Sequence, residues 1–331
     1  MEKINTFNQL SKLDNNYLKK YINHYLDDYF KFDDESIDFM LNHFFEGGKR
    51  IRPLISLNTL IQFSNINNHL NNNFLQEQIL LCLIPEIIHN FSLILDDLPC
   101  MDNDLYRRDK KTFHHKYGII NTNLFIPLIM NKITNYIDFH IVFNKKIKIK
   151  KSNNEIKVYY FKDYLNKLIF DNIELLINGQ YQDLNYISIG YDISVVYKLN
   201  CNKTGPLFSI SFILGYLSTI FNNDTDNSEL DKNIKDKKEI FEIEEIIISK
   251  LKELGILFGL VFQITDDILD IEQDSKDSKK AMNNICIILG LKKTINEFYK
   301  NINLLENEFK KLNIFNTNFE DLLNQLKKRI E

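Results

Sequence analysis

Ile87-Ile88-His89-Asn90-Phe91-Ser92-Leu93-Ile94-Leu95-Asp96-Asp97-Leu98-Pro99-Cys100-Met101-Asp102-Asn103-Asp104 is an apolar stretch that ends in a burst of carboxylates. The pattern recurs once, where Gly255 to Thr265 runs into Asp266-Asp267-Ile268-Leu269-Asp270. Each cluster sits where a buried helix would surface. Carboxylates packed this closely repel and raise one another's pKa. Mg²⁺ removes the conflict, because it is a hard cation that takes carboxylate oxygens and carries phosphates on its remaining positions. Two such clusters facing each other would clamp a diphosphate; the alternative for each alone is a solvated acidic turn. In the first, Pro99 stops regular helix and lets Asp102 swing back. In the second, Asp266 and Asp270 share a helix face, with Gln263 one turn earlier.

The bulk composition is compatible with one large unit of 331 residues. Apolar residues make up 44%, enough for a sizeable core, while the net charge of −4 provides no basic field for nucleic acid. Cys82, Cys100, Cys201 and Cys286 are scattered, which excludes a zinc site or a disulfide framework and suggests a reducing compartment. No secretory apolar core opens the chain, so the expected location is cytoplasmic, with a plastid-type organelle if a transit segment precedes this sequence. The most apolar run, Ile79 to Leu95, is interrupted by Pro85, Glu86, His89 and Asn90, so no transmembrane anchoring is expected. Ala281 is the only alanine, so the best helix former is nearly unused and helix must be read from periodicity.

Helical periodicity marks Tyr17 to Tyr29, Ile79 to Leu95, Tyr164 to Ile177, Val195 to Leu199, Lys203 to Ile220, Ile240 to Asp270 and Ile295 to Lys311. No alternating run with a hairpin turn is evident, which predicts an all-α fold. The polar segments near 64–73, 144–157 and 222–238 read as surface insertions on a single domain spanning 1–331.

Cations needed by a diphosphate are present. Gly47-Gly48-Lys49-Arg50-Ile51-Arg52-Pro53 joins glycines that allow close backbone approach to Lys49 and Arg52. Arg107 and Arg108 follow the first cluster, and a guanidinium fork suits phosphate. Lys203-Thr204-Gly205 and Lys280 add donors. Any one of these alone would pass as surface charge.

Together these segments resemble the trans-isoprenyl diphosphate synthases, the farnesyl/geranylgeranyl diphosphate synthase family. The resemblance runs in order through 47–53, 86–108, Thr112-Phe113-His114, the GQYQDL run at 179–184, 203–205 and 262–270. The spacing of the first aspartate motif is similar to bacterial and plastid short-chain members. The resemblance implies a helical bundle around a central cavity, a homodimer, and Mg²⁺-dependent head-to-tail condensation of isopentenyl diphosphate with an allylic diphosphate. Three Mg²⁺ per site, replaceable by Mn²⁺, would be held by Asp96, Asp97, Asp102, Asp266, Asp267 and Asp270. Arg107, Lys203, Thr204, Gln263 and Lys280 would contact the allylic substrate, and Lys49, Arg52, His89 and Arg108 isopentenyl diphosphate. Phe91 and Ser92, five and four positions before Asp96, would limit chain length, with Phe91 resembling a farnesyl-type plug. A fifteen-carbon product is expected, with twenty carbons or longer as the alternative.

Three departures from the family pattern stand out. Asp109 replaces the glycine after the paired arginines, Ile126-Pro127 replaces a Gly-Asp pair and should break helix, and the segment after Lys280 is short and lacks a second lysine. These leave open a weakly active or non-catalytic subunit. A lyase or cyclase is a further alternative, but it would not need Lys49, Arg52 and His89.

Overall fold

The computed structural model describes residues 7–45, 47–67, 76–140, 146–185, 193–220, 240–276 and 278–331. Helices dominate it, as the periodicity predicts. Five long ones form the frame: α4 (Ile51–Ile66), α5 (Gln76–Asp96), α8 (Phe161–Asn185), α9 (Ile193–Leu217) and α10 (Glu245–Leu269). Around them lie α1 (Phe7–Ser11), α2 (Asn15–Tyr29), α3 (Glu35–Phe45), α6 (Phe113–Tyr117), α7 (Ile119–His140), α11 (Ile271–Asp274), α12 (Ser278–Asn283), α13 (Ile285–Leu289), α14 (Leu291–Lys311) and α15 (Thr317–Ile330). One contiguous cluster of buried apolar side chains runs from Leu10 to Leu326. By length and composition α5 could cross a membrane, but it is mostly buried inside this core.

α9 is the hub, packing on α10, α8, α4 and α5. Its contacts are made through residues without side-chain bulk. A Cβ on Gly255 of α10 would fall inside the backbone of Ser209, and one on Gly259 would lie 2.8 Å from the Gly205 Cα. Gly255, Gly259 and Gly205 thus let α9 and α10 touch backbone to backbone. On the other flanks, Gly179 of α8 meets the backbone of Asn202 and Lys203, and Gly215 of α9 meets Ser56 of α4.

The long helices all reach the same region. α5, α8 and α10 finish there with Asp96, Gln180 to Asp183, and Asp266 to Asp270, while α4 begins there with Arg52 and α9 passes through it at Lys203. At the other end lies a small sheet. β3 (Lys146–Lys150) pairs antiparallel with β4 (Ile156–Tyr160) and parallel with β5 (Ile240–Glu244). β4 leads directly into α8 and β5 into α10. Some 21 residues of α10 separate its start from Asp266, roughly 30 Å at helical rise.

This sheet corrects the expectation that 144–157 is an irregular insertion. Ile147 and Ile149 are buried while the intervening lysines are not, a period of two that the lysine-rich composition concealed. It also corrects the helix expected from Ile240, which begins at Glu245. Ser64 to Ile66 are the last residues of α4, not loop. Residues 68–75 and 221–239, including most of two expected insertions, lie outside the described residues. The two expected segments around 195–220 are one helix, with Pro206 inside it. α7 likewise contains Pro127, so the helix break expected there does not occur.

The C-terminal helix is tied into this frame by buried asparagines. Asn318 donates to Asn58 at 2.9 Å and Asn15 donates to the Asn318 carbonyl at 2.9 Å, joining α15 to α4 and α2. Asn316 caps α15 by accepting from the Phe319 amide at 2.8 Å.

Gly255→Ala should therefore destabilise the protein by more than about 3 kcal/mol, the upper range for overpacking, because the obstructing atoms are backbone. Thermal unfolding compared with the wild type reads the effect of the crossing. Equal melting temperatures would mean that α9 and α10 can separate at little cost.

Candidate active site

Asp96 is the last residue of α5, and the loop after it folds back: the Asp102 amide donates to the Asp96 carbonyl at 2.9 Å. This is the return that Pro99 was expected to allow. A two-stranded hairpin follows, β1 (Tyr106–Arg107) and β2 (Lys110–Lys111), whose turn places Arg108 and Asp109 at φ of 54° and 63°. Asp tolerates this left-handed conformation better than most residues, so the glycine expected at 109 is replaceable. Arg107 faces back onto the cluster, donating to the Asp97 carboxylate from Nε at 2.7 Å and pairing with it through Nη2 at 2.5 Å. Arg108 reaches the glycine loop; a Cβ on Gly48 would sit 2.8 Å from its Nη1.

Lys203 and Thr204, neighbours on α9, connect the two clusters. Lys203 Nζ pairs with Asp183 at 2.6 Å and lies in the fields of Asp96 and Asp102. The Thr204 hydroxyl donates to Gln263 at 2.9 Å, and Gln263 donates onward to Asp267 at 3.0 Å. Gln180, also from α8, donates to Asp96 at 3.1 Å. The two clusters therefore flank the same short stretch of α9.

The second cluster divides in two. Asp266 is half-buried and pairs with Arg329 of α15 at 2.8 Å, while Asp270 is exposed at the junction of α10 and α11. Asp267 is buried, accepting from the Ile285 amide at 2.8 Å as well as from Gln263. The short segment after Lys280 is fastened where it meets α13. Asn283 donates to Asp183 at 2.9 Å, and Asn284 donates to the Asp267 carbonyl at 2.9 Å while capping α13. Lys280 lies on α12, and its side chain falls outside the described residues.

Beside the clusters is a cationic pocket. Arg52 is buried, stacks on Phe208 with 4.7 Å to the ring centroid, and leaves its Nε without a partner. Burial pushes its guanidinium down to about 10 despite Glu86 and Asp266. Burial, then Arg52, Arg108, Arg107 and Arg50, hold His89 well below its usual pKa, so its imidazole is neutral. Lys49 is also lowered, by burial and then by Arg329. Such concentrated positive potential, with an orphaned guanidinium nitrogen, calls for an anion. Arg50, by contrast, is structural: it pairs with Glu86 at 2.8 Å and donates to the Phe45 carbonyl.

The carboxylates fit hard cations. Burial pushes Asp96 up to about 6 and also raises Asp97 and Asp266. A divalent ion would supply the charge that burial withholds. Among the described residues no three metal-binding side chains converge on one point. That suits an ion that completes its shell with water and phosphate oxygens. Phe91 and Ser92 lie on the turn of α5 before Asp96; Phe91 is buried in the core and the Ser92 hydroxyl donates to the His89 carbonyl at 2.9 Å.

Sequence reasoning missed Arg329, which sits in the Lys327-Lys328-Arg329 run and reads as ordinary charge closing a helix C-terminus. It also gave no role to Gln180 and Asp183, although both fall in the quoted 179–184 run.

Comparison with known proteins agrees with this geometry. The family model for polyprenyl synthetase matches residues 34–286. The farnesyl diphosphate synthase of Buchnera aphidicola subsp. Schizaphis graminum is 32% identical over 247 residues, 72% of this chain and 73% of that protein. The geranylgeranyl diphosphate synthase of Saccharolobus solfataricus is 27% identical over 240 residues, 72% of this chain and 59% of that protein. A geranyltransferase from Helicobacter pylori, solved in complex with magnesium and isoprenyl diphosphate, has the same fold. It superposes with a TM-score of 0.65 at 22% identity, covering 96% of this chain and 99% of that one.

Asp96→Asn should stabilise the metal-free protein at pH 8 but not at pH 4. The folded carboxyl titrates near 6, above its unfolded value, so the stability it contributes when protonated is lost as pH rises through 6. The gain at pH 8 should be at most about 3 kcal/mol, and less because the group is partly hydrated. Melting curves in chelator at both pH values test this; an equal shift at both would refute the burial cost.

Proposed function

We propose that this chain, which belongs to the polyprenyl synthetase family and is a transferase of the farnesyl and geranylgeranyl diphosphate synthase kind, makes farnesyl diphosphate. It would condense isopentenyl diphosphate head-to-tail with dimethylallyl and then geranyl diphosphate. The observation that carries this reading is the placement of Lys203 and Thr204 between two aspartate clusters. The cationic pocket alongside them supports two diphosphate substrates over the single one that a lyase or cyclase would take.

The proposed division of labour follows the charges. Asp96, Asp97, Asp102, Asp266 and Asp270 hold Mg²⁺, with three ions per site and Mn²⁺ as a substitute. When bound, Mg²⁺ supplies charge neutralisation for the departing allylic diphosphate. Lys203, kept cationic by Asp183 although burial opposes it, points its ammonium at the same diphosphate, joined by Arg107, Thr204, Gln263 and Lys280. Lys49, Arg52 and Arg108 grip isopentenyl diphosphate, and neutral His89 donates one ring N–H without repelling them. Apolar α5 keeps water from the allylic cation. No protein base is needed, because the departed diphosphate can take the final proton. Phe91 stops the growing chain at fifteen carbons.

The test is incubation with Mg²⁺, isopentenyl diphosphate and each allylic diphosphate. A fifteen-carbon product is expected, abolished by excess chelator and reduced at least about 100-fold in Asp266→Ala. Phe91→Ala should lengthen the product. Absence of any product from folded protein would favour a non-catalytic subunit, and an unchanged product in Phe91→Ala would place the stop elsewhere.

We also propose a homodimer, supported by apolar side chains left at the surface. Ile120, Leu124 and Leu128 form one face of α7 at a spacing of four, and Ile177 and Tyr181 lie exposed on α8. The four cysteines are unpaired, which supports a cytoplasmic setting. Light scattering should give twice 39.3 kDa for the wild type and a monomer for Leu124→Glu; a monomeric wild type at micromolar concentration would reject this surface.

A further inference from the structure

We infer that Asp267 is a positioning residue: it fixes the Gln263–Thr204 pair and fastens the α12–α13 segment to the second aspartate cluster, and it is not a metal ligand. The inference rests on the proposed metal-dependent synthase reading. Its basis is the inequality among the three aspartates. Asp266 is only half-buried and Asp270 exposed, whereas Asp267, rotated about 100° from Asp266 around the helix, is buried. Asp267 is 5% exposed, and both of its oxygens are engaged. Oδ1 accepts from Gln263 Nε2 at 3.0 Å; Oδ2 accepts from the Ile285 amide at 2.8 Å and from Asn200 at 3.4 Å.

These partners cannot readily let go. Asp97 is also hydrogen-bonded, but its partner is a long arginine side chain that can swing aside. The Ile285 amide is backbone, and Asn200 is buried on α9. Turning Asp267 toward a metal would leave both donors unpaired inside the protein, a loss that buried polar groups rarely sustain. Asn284 closes the knot from the other side, donating to the Asp267 carbonyl at 2.9 Å and to Asp274 at 2.8 Å.

The consequence reaches the substrate side. A carboxylate at 267 only accepts, so it draws the Gln263 amide nitrogen and leaves Gln263 Oε1 for the Thr204 hydroxyl. The orientation of two substrate-facing groups is thus set by a residue that touches neither substrate.

The experiment compares Asp267→Asn with Asp266→Asn in the full-length protein. Mn²⁺ binding is followed by electron paramagnetic resonance in the presence of inorganic diphosphate. Asp266→Asn should weaken it at least about tenfold, and Asp267→Asn less than about twofold. Hydrogen exchange of the peptide covering 281–290 should accelerate at least about tenfold in Asp267→Asn and stay unchanged in Asp266→Asn. The KM for the allylic diphosphate should rise about tenfold or more in Asp267→Asn, with a smaller change in kcat and in the KM for isopentenyl diphosphate. Weakening of Mn²⁺ equal to that in Asp266→Asn, or full protection of 281–290, overturns the inference. If Asp266→Asn itself leaves Mn²⁺ binding intact, the metal reading of the cluster fails, and the anchor is still judged by the exchange data. Should Asp267→Asn not fold, Asp267→Glu, which keeps the charge but displaces both oxygens, must loosen the same peptide while leaving Mn²⁺ binding within about twofold, or the anchor is refuted.

Discussion

The site depends first on the backbone-to-backbone crossing of α9 and α10. Helix axes normally stand 8–10 Å apart, with the distance set by the side chains at the contact. Gly205 on one helix and Gly255 and Gly259 on the other remove those side chains. The close approach puts Thr204 within hydrogen-bonding distance of Gln263, four residues past Gly259. A larger residue at the crossing would push the second cluster away from Lys203. The sequence Lys203-Thr204-Gly205 is therefore one device: a cation, a donor, and the gap that lets both reach their partners.

From that crossing the electrostatics follow. The carboxylates emerge where helices end, opposed to the partial negative charge of helix C-termini, and burial raises their pKa further. The protein meets this with its own cations at fixed places: Arg107 on Asp97, Arg329 on Asp266 and Lys203 nearest Asp183. Each cation arrives from a different element, so the charge balance of the site requires the hairpin, the C-terminal helix and α9 to be docked together. Arg329 shows how far this extends. The asparagine cluster that holds α15 to α2 and α4 lies three turns away along the helix, yet it sets where that guanidinium ends.

Much of this was legible in the sequence, for identifiable reasons. The aspartate clusters, the glycine-lysine loop and the paired arginines are dense in charge where an ordinary helix end would not be, and the structure brings their elements to one region. The β-hairpin at 146–160 was not legible because lysines at alternate positions imitate a solvated run, and only the burial of Ile147 and Ile149 reveals the strand. Pro127 was read as a break because an isolated proline costs a helix hydrogen bond; in α7 packing elsewhere along the helix outweighs that loss, as it does for Pro206 inside α9. Arg329 could not be distinguished from Lys327 and Lys328 without knowing which face of α15 meets α10.

The departures from the family pattern also change meaning once the structure is considered. Asp109 stands in a turn whose left-handed conformation asks for Gly, Asn or Asp, so the substitution keeps the hairpin that presents Arg107. The short segment after Lys280 removes a cation-bearing loop, yet it replaces that loop with Asn283 on Asp183 and Asn284 on Asp267. Both asparagines are neutral donors directed at carboxylates. They do not neutralise charge; they fix geometry. A longer loop would add a mobile positive charge, whereas this chain draws the same boundary close and ties it to Asp183 and Asp267, the partners of Lys203 and Gln263. The cations that this arrangement keeps stand on other elements, at Lys203, Arg52, Arg107 and Arg108, and the dense arginine field among them, together with burial, keeps His89 neutral.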